Sequence, residues 1–156
     1  MKKIICLVFA LLLLSACESS RLDGDWDEME WKKTSYQTIK DDYYGFNSMY
    51  YHVPAEGGTY VFHCKNYKGI WLNDCEFVQN GTSSHSYDDR EYYADGITDY
   101  HHYENKWCSV AAEGDSLKVV FQPNEEGVRK AMVTVTAGDI FDLFRFRQEE
   151  REAKGL

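Results

Sequence analysis

The chain has 156 residues and carries 17 Lys+Arg against 26 Asp+Glu, a formal charge of −9. Residues 1 to 16 read as a removable leader holding two of the cations, which leaves 15 − 26 = −11 on a body of 156 − 16 = 140 residues. One domain fits that length, and roughly two-thirds of its unfolded surface can be buried on folding. An acidic excess of this size excludes nucleic acid, which needs clustered Lys and Arg, and docking on anionic lipid by charge alone.

The leader opens with Met1-Lys2-Lys3 and continues as the apolar run Ile4 to Leu14. That run is too short to cross a bilayer as a helix, which takes about 20 residues, and has the length and flanks of a secretory core. Leu14-Ser15-Ala16-Cys17 resembles a bacterial lipobox. The resemblance implies cleavage before Cys17 and lipidation of its thiol. Each buried acyl CH₂ then contributes ~0.8 kcal/mol, so two or three chains hold a protein without a transmembrane helix.

Residues 17–47 form the expected lipid anchor, tether and lead-in segment. Glu18 to Asp25 is polar and acidic, which fits a flexible spacer and also resembles surface-export signals of some outer-membrane lipoproteins. Met29 and Trp31 share a face at strand spacing, so this stretch reads as an edge strand or a staple laid across the domain. The expected location is the cell envelope, lipid-anchored at the outer membrane and exposed at the surface if the acidic spacer is an export signal.

From Ser48 onward the apolar period is two. Tyr60, Phe62 and Cys64 alternate with Val61 and His63 after the turn Glu56-Gly57-Gly58. Leu117, Val119 and Phe121 alternate up to Pro123-Asn124-Glu125-Glu126-Gly127, and Ala131, Val133 and Val135 up to Ala137-Gly138-Asp139. Phe141, Leu143, Phe144 and Phe146 slip in parity, which predicts a bulge or a strand buried on both faces. Short strands between Gly, Asn and Asp turns define an all-β chain, an antiparallel β-sandwich, spanning 48–150 with a tail at 151–156.

Val53-Pro54-Ala55-Glu56-Gly57-Gly58-Thr59-Tyr60-Val61-Phe62 resembles the opening strand of BACON domains, the Bacteroidetes-associated carbohydrate-binding, often N-terminal modules. Trp71, then Trp107-Cys108-Ser109-Val110, match the family's two tryptophan elements. Leu117 to Asn124, Arg129 to Val135 and Phe146-Arg147-Gln148 resemble its closing strands. The resemblance covers roughly residues 48 to 148 and implies an immunoglobulin-like sandwich. On it Asn124 suits a turn of left-handed geometry, Arg129 and Gln148 tie turn carbonyls, and Trp71 and Trp107 supply core area.

Between the two tryptophans lies a long insert, Asn80 to Lys106, rich in Tyr, His and Asp. A loop of this length is functional or locally structured. Its candidate glycan or partner contacts are Tyr87, Tyr92, Tyr93, Tyr100 and Tyr103: tyrosine rings stack on sugar C–H faces while Asp, Asn and Arg satisfy hydroxyls. Packing of the same tyrosines onto the sandwich as an Ω-loop is the competing expectation.

His85, Asp88, Asp89, Asp95, Asp99, His101 and His102 lack metal-site spacing, and His101 and His102 point oppositely on a strand. No metal and no cofactor is expected. Asp88, Asp89, Glu91 and Asp95 offer carboxylates of the kind glycosidases pair, but no nucleophile with a base and an orienting third group is present, so no catalysis is expected. Cys64, Cys75 and Cys108 allow one disulfide, 64–75 or 75–108 joining neighbouring strands, against three buried thiols; thiols are favoured. Asn80-Gly81-Thr82 is a glycosylation sequon in eukaryotes only. The expected function is that of a membrane-anchored, non-enzymatic accessory, scaffold or protein-interaction lipoprotein. Its alternative is a module binding polysaccharide or mucin-type glycan through the tyrosine-rich insert. The expected partners are the membrane, through Cys17, and an envelope protein or a glycan.

Overall fold

The computed structural model describes residues 26–43, 45–86 and 100–151. The leader, Cys17 and its tether, and the insert tyrosines Tyr87, Tyr92 and Tyr93 lie outside the described residues.

Alternation of apolar and polar side chains gives each strand a core face and a solvent face, and ten strands result among the described residues. They are β1 (Thr38–Tyr43), β2 (Phe46–Val53), β3 (Gly58–His63), β4 (Trp71–Gln79), β5 (Thr82–His85), β6 (His102–Glu104), β7 (Cys108–Glu113), β8 (Ser116–Phe121), β9 (Arg129–Ala137) and β10 (Ile140–Gln148). Six of them form one sheet in the order β1-β2-β10-β9-β4-β5, and four form the other in the order β3-β8-β7-β6. Every pairing is antiparallel except β2 with β10, which run parallel. An early strand lying parallel to the last one, with the chain crossing between layers, is the arrangement of an immunoglobulin-like sandwich. The all-β fold class read from the period of two is the one observed.

The inner faces meet in a core that includes Val53, Phe62, Leu72, Phe77, Val110, Leu117, Val119, Val133 and Phe146, all buried. Each such aliphatic or phenyl side chain contributes about 1.5–3 kcal/mol on burial. Aromatic rings run through this core: Phe62 lies 4.6 Å from Phe144 and Phe146 lies 5.4 Å from Phe121, centroid to centroid. Tilted and edge-on contacts of that kind add about 0.5–1.5 kcal/mol each.

Three expectations change. β10 carries no bulge: its register with β9 is unbroken from Ile140↔Ala137 to Gln148↔Arg129. Phe144, Phe146 and Gln148 face inward, and the apparent slip arises because Phe141 faces the other way and is exposed. The irregularity sits instead in β4, between Leu72 and Asp74. Asn124 does not adopt left-handed geometry; the non-glycine residue that does, among the described residues, is Asn80, at φ 51°. Asn124 is fully buried and works through its side chain. Its Nδ2 donates to the carbonyls of Gly127 (2.6 Å) and Glu149 (2.9 Å), and its Oδ1 accepts from the Glu126 amide. Trp107 enters the core as the resemblance implies, whereas at the start of β4 it is Leu72 that does so and Trp71 stays half-buried. Arg129 and Gln148 do tie carbonyls, those of Pro123 (3.2 Å) and Gln122 (2.7 Å).

The expected boundary at residue 48 falls inside β2, and β1 lies in the lead-in segment. Residues 26–36 form a strap along the edge of β3. Trp31 makes an antiparallel bridge with Cys64, the Lys32 amide donates to the His63 carbonyl, and the Lys65 amide to the Glu30 carbonyl. Farther along, the Val61 amide donates to the Tyr36 hydroxyl at 2.9 Å. The strap also reaches the other sheet, where Trp31 stacks edge-on against Phe144 at 4.7 Å. Of the two readings of Met29 and Trp31, the staple across the domain is the one observed.

Candidate functional site

The β4–β5 hairpin positions a cleft on the inner side of the sheet. Asn80 and Gly81, with φ of 51° and 76°, are the two central residues of a tight turn that pairs Gln79 with Thr82 and Phe77 with Ser84. Two successive residues at positive φ make the type I′ geometry that Asn-Gly favours. Because Phe77 faces the core, Ser84 and Thr82 share its side of the sheet, yet both are exposed. β5 thus offers an uncovered inner face. Beside it opens a cleft of about 350 Å³ floored by Phe77 and Trp107 and rimmed by Gln79, Asn80, Thr82, Ser84 and Glu126.

Trp107 is fixed from several sides. Its ring meets Phe77 edge-on at 5.3 Å and stacks near Phe121 at 6.2 Å. Asn105 Oδ1 accepts from the Trp107 and Cys108 amides. The guanidinium carbon of Arg129 lies 5.3 Å over the ring, a contact worth about 2 kcal/mol when desolvated. Burial lowers the pKa of Arg129 while the charge of Glu126 partly restores it. The hairpin is tied down by Gln79 Nε2, which donates to the Glu126 carbonyl at 3.0 Å.

On the opposite face of the same sheet, β5 borders a second cleft of about 220 Å³, lined by Glu76, Val78, Gly81, Ser83, Lys130, Met132 and Asp42. Glu76 is buried there and accepts from Ser83 Oγ at 2.9 Å. Lys130 is held by Asp41 at 2.8 Å and by the Asp42 carbonyl, with its ammonium over the Tyr50 ring. Both clefts therefore share β5 as a wall.

Of the five tyrosines singled out in the sequence, Tyr103 stacks on Phe77 at 5.5 Å and packs against the core. Tyr100 is exposed, and its carbonyl accepts from the Leu72 amide. Tyr87, Tyr92 and Tyr93, like the lipidation candidate Cys17, lie outside the described residues. Sequence reading missed the cleft residues Phe77, Gln79, Thr82, Ser84 and Glu126. The signal available for them was Asn80-Gly81 itself, a hairpin dipeptide.

Two polar clusters resemble catalytic groups by composition. Ser116 Oγ lies 2.8 Å from His63 Nδ1 and 3.0 Å from Asp115 Oδ1. The Asp115 carboxylate is 3.6 Å from that same ring nitrogen. A relay needs the imidazole between hydroxyl and carboxylate, one on each nitrogen; here both sit at Nδ1. The Lys68 and Ser116 hydrogen bonds hold the Asp115 carboxyl below its ordinary pKa. In the second cluster His85 Nδ1 is 3.0 Å from Asp74 Oδ2, and Asp74 Oδ1 accepts from Ser86 Oγ, which in turn accepts from the Cys75 amide. This network fixes the strand beside the β4 irregularity. His101 Nδ1 lies 2.9 Å from the Ala112 carbonyl. Among the described residues no three of His, Cys, Asp and Glu come together as a metal site; Asp88, Asp89, Asp95 and Asp99 lie outside them.

Cys64, Cys75 and Cys108 are all free thiols and all buried. Burial, with a smaller effect from Cys75, pushes the Cys108 thiol well above its ordinary pKa.

The fold and its clefts define an immunoglobulin-like β-sandwich protein. No family model and no curated protein matches the chain. Among solved structures, the NMR structure of a protein from Bacteroides thetaiotaomicron is 31% identical, with a TM-score of 0.57 over 88% of this chain and 100% of that one. The chain belongs to the same family as that Bacteroides protein.

Proposed function

We propose that the chain is a lipid-anchored, non-enzymatic lipoprotein of the cell envelope, whose sandwich serves as an accessory or protein-interaction domain. The observation that carries this reading is the docked strap. With residues 26–36 held on β3, an acylated Cys17 would be joined to the body by little more than residues 17–25, about 30 Å at full extension. The body then stands close to the outer membrane and presents its far strands outward. The lipobox-like Leu14-Ser15-Ala16-Cys17 and the family shared with a Bacteroides protein support the same placement. Metabolic labelling with a fatty-acid analogue tests it: the full chain acquires label and sediments with membranes, and Cys17→Ala loses both. An unlabelled, freely released full chain defeats the proposal.

A second reading, binding of a polysaccharide or mucin-type glycan, is favoured by the Phe77–Trp107 floor and the amides and hydroxyls around it. The BACON-like order of motifs supports it too. Its contacts would include Tyr103 beside the cleft and the insert tyrosines. Retardation in glycan-containing gels, abolished by Tyr92→Ala with Tyr93→Ala, is the expected result; unchanged mobility rejects it.

A further inference from the structure

We infer that β5 is a strand-addition site, taking an extended, basic segment of a partner protein whose alternate side chains enter the two flanking clefts. The inference rests on the protein-interaction reading above and names the surface and the partner's chemistry.

The two outer edges of the six-stranded sheet are unlike. β1 is defended. Gln37 accepts from the His52 amide, so pairing with β2 uses alternate residues and turns Thr38, Lys40 and Asp42 outward. The Asp42 amide is already taken by Asp41 Oδ1 (2.8 Å), its carbonyl accepts from Lys130, and Lys40 adds a charge to the edge. Such devices keep a sheet edge from pairing with other chains.

β5 has none of them. Its residues are Thr-Ser-Ser-His, with no proline, lysine or irregularity in the pairing with β4. In a two-residue hairpin the Gln79–Thr82 pair exchanges the closing hydrogen bonds, so Ser83 turns its N–H and carbonyl to the outer edge. No described residue pairs with that edge.

A strand laid there alternates its side chains between the two faces of the sheet. On the inner side they meet the Trp107 cleft, and on the outer side the Met132 cleft, each walled by β5. A four-residue edge gives few main-chain bonds, so side chains in these clefts carry most of the recognition. Each cleft is lined by a carboxylate that makes no ion pair within 4.0 Å among the described residues: Glu126 on the inner side, and Asp42 on the outer, whose Oδ1 accepts from the Gly45 amide. With a formal charge of −9 behind them, they call for Lys or Arg at adjacent, oppositely facing positions of the incoming segment.

The test uses the full chain in detergent micelles and three synthetic heptapeptides of valine and threonine around two adjacent central positions, both lysine, both glutamine or both glutamate, so that one variable side chain falls on each face. Amide NMR follows binding. The expected result is that the lysine peptide binds best and the glutamate peptide worst, with the Ser83 amide becoming protected from exchange. Ser83→Pro removes that outward N–H at a position where an edge strand tolerates proline, and weakens binding about tenfold or more. Glu126→Gln weakens the lysine peptide about threefold, as for an exposed ion pair. Lys40→Pro on the β1 edge leaves binding unchanged. No binding by any peptide, preference for the glutamate peptide, shifts centred on β1, or full binding by a folded Ser83→Pro variant overturns the inference. So does a dimer that Ser83→Pro dissolves, since the occupant would then be a second copy. Loss of acyl labelling with peptide binding intact defeats the anchored-lipoprotein reading alone.

Discussion

Trp31 and Asp142 lie 111 residues apart in sequence, and the indole Nε1 donates to the carboxylate Oδ2 at 2.7 Å. That bond joins the strap to β10 while the strap's backbone is bonded to β3, so one side chain ties both sheets to the segment leading toward the N-terminus. Trp31→Phe keeps the ring against Phe144 and loses the hydrogen bond, costing about 1 kcal/mol. Trp31→Ala also loses the half-buried ring and costs about 2–3 kcal/mol. Urea unfolding measures both. Limited proteolysis adds a local readout: the alanine variant is cut within residues 26–36 well before the sandwich is degraded.

Acid sensitivity follows from Asp41. Its partial burial raises the carboxyl pKa, but the hydrogen bonds from Lys130 and the Asp42 amide and the charges of Lys130 and Arg147 outweigh that and leave it below the ordinary value. A carboxyl depressed in the folded state stabilises above its unfolded pKa of about 3.9, and that stabilisation disappears as pH falls through the folded value. Asp115, depressed by Lys68 and Ser116, works in the same direction. Unfolding midpoints are expected to stay level from pH 7 to about 5 and to fall below about 4. Asp41→Asn flattens part of that fall and lowers stability at pH 7 by on the order of 1 kcal/mol, because the pair is partly solvated.

Legibility in the sequence tracked how regular each strand is. β3 and β8 alternate cleanly, and their inward residues Phe62 and Val119 are buried while their outward neighbours are not, whereas in β9 the outward Met132 and Thr136 are buried along with the inward Val133. β4 was hidden because the irregularity between Leu72 and Asp74 shifts the parity, so that Leu72 and then Cys75 and Phe77 are buried, and because Glu76 between the last two is buried on the opposite face. β1 was hidden because an edge strand with little core to face shows no apolar period. The clefts beside β5 unite Phe77, Thr82, Trp107 and Glu126 through strand pairing and sheet packing, which a linear reading does not join. Asn80-Gly81 announced the hairpin, but the dipeptide also opens a sequon and carries no information about which faces stay uncovered.

The three cysteines give a chemical measure of the core. Cys64, Cys75 and Cys108 are buried thiols, and burial holds the Cys108 thiol protonated at neutral pH. Thiolate is the reactive form, so a fragment beginning after Cys17 should show essentially no reaction with a disulfide reagent while folded. In denaturant three thiols per chain should react. In the native state the labelling rate follows opening of the sandwich, and Trp31→Ala accelerates it. Fewer than three thiols in denaturant would reveal a disulfide.

The turn leading into β3 is expected to tolerate substitution least. Gly57 sits at φ +81°, and a Cβ there would lie 2.2 Å from the Phe121 carbonyl oxygen. That carbonyl belongs to the end of β8, where Gly58 pairs with Phe121, so the backbone cannot move aside without opening the β3–β8 ladder. Gly138, between β9 and β10, has a similar φ of +68° with nothing within 4 Å of its Cβ position. Gly138→Ala therefore meets only the backbone strain of a left-handed residue, about 1 kcal/mol. Gly57→Ala adds a collision with fixed backbone and should cost about 3 kcal/mol or more. Comparing the two variants by thermal unfolding separates conformational strain from steric conflict, and equal losses would show that the β3–β8 turn relaxes freely.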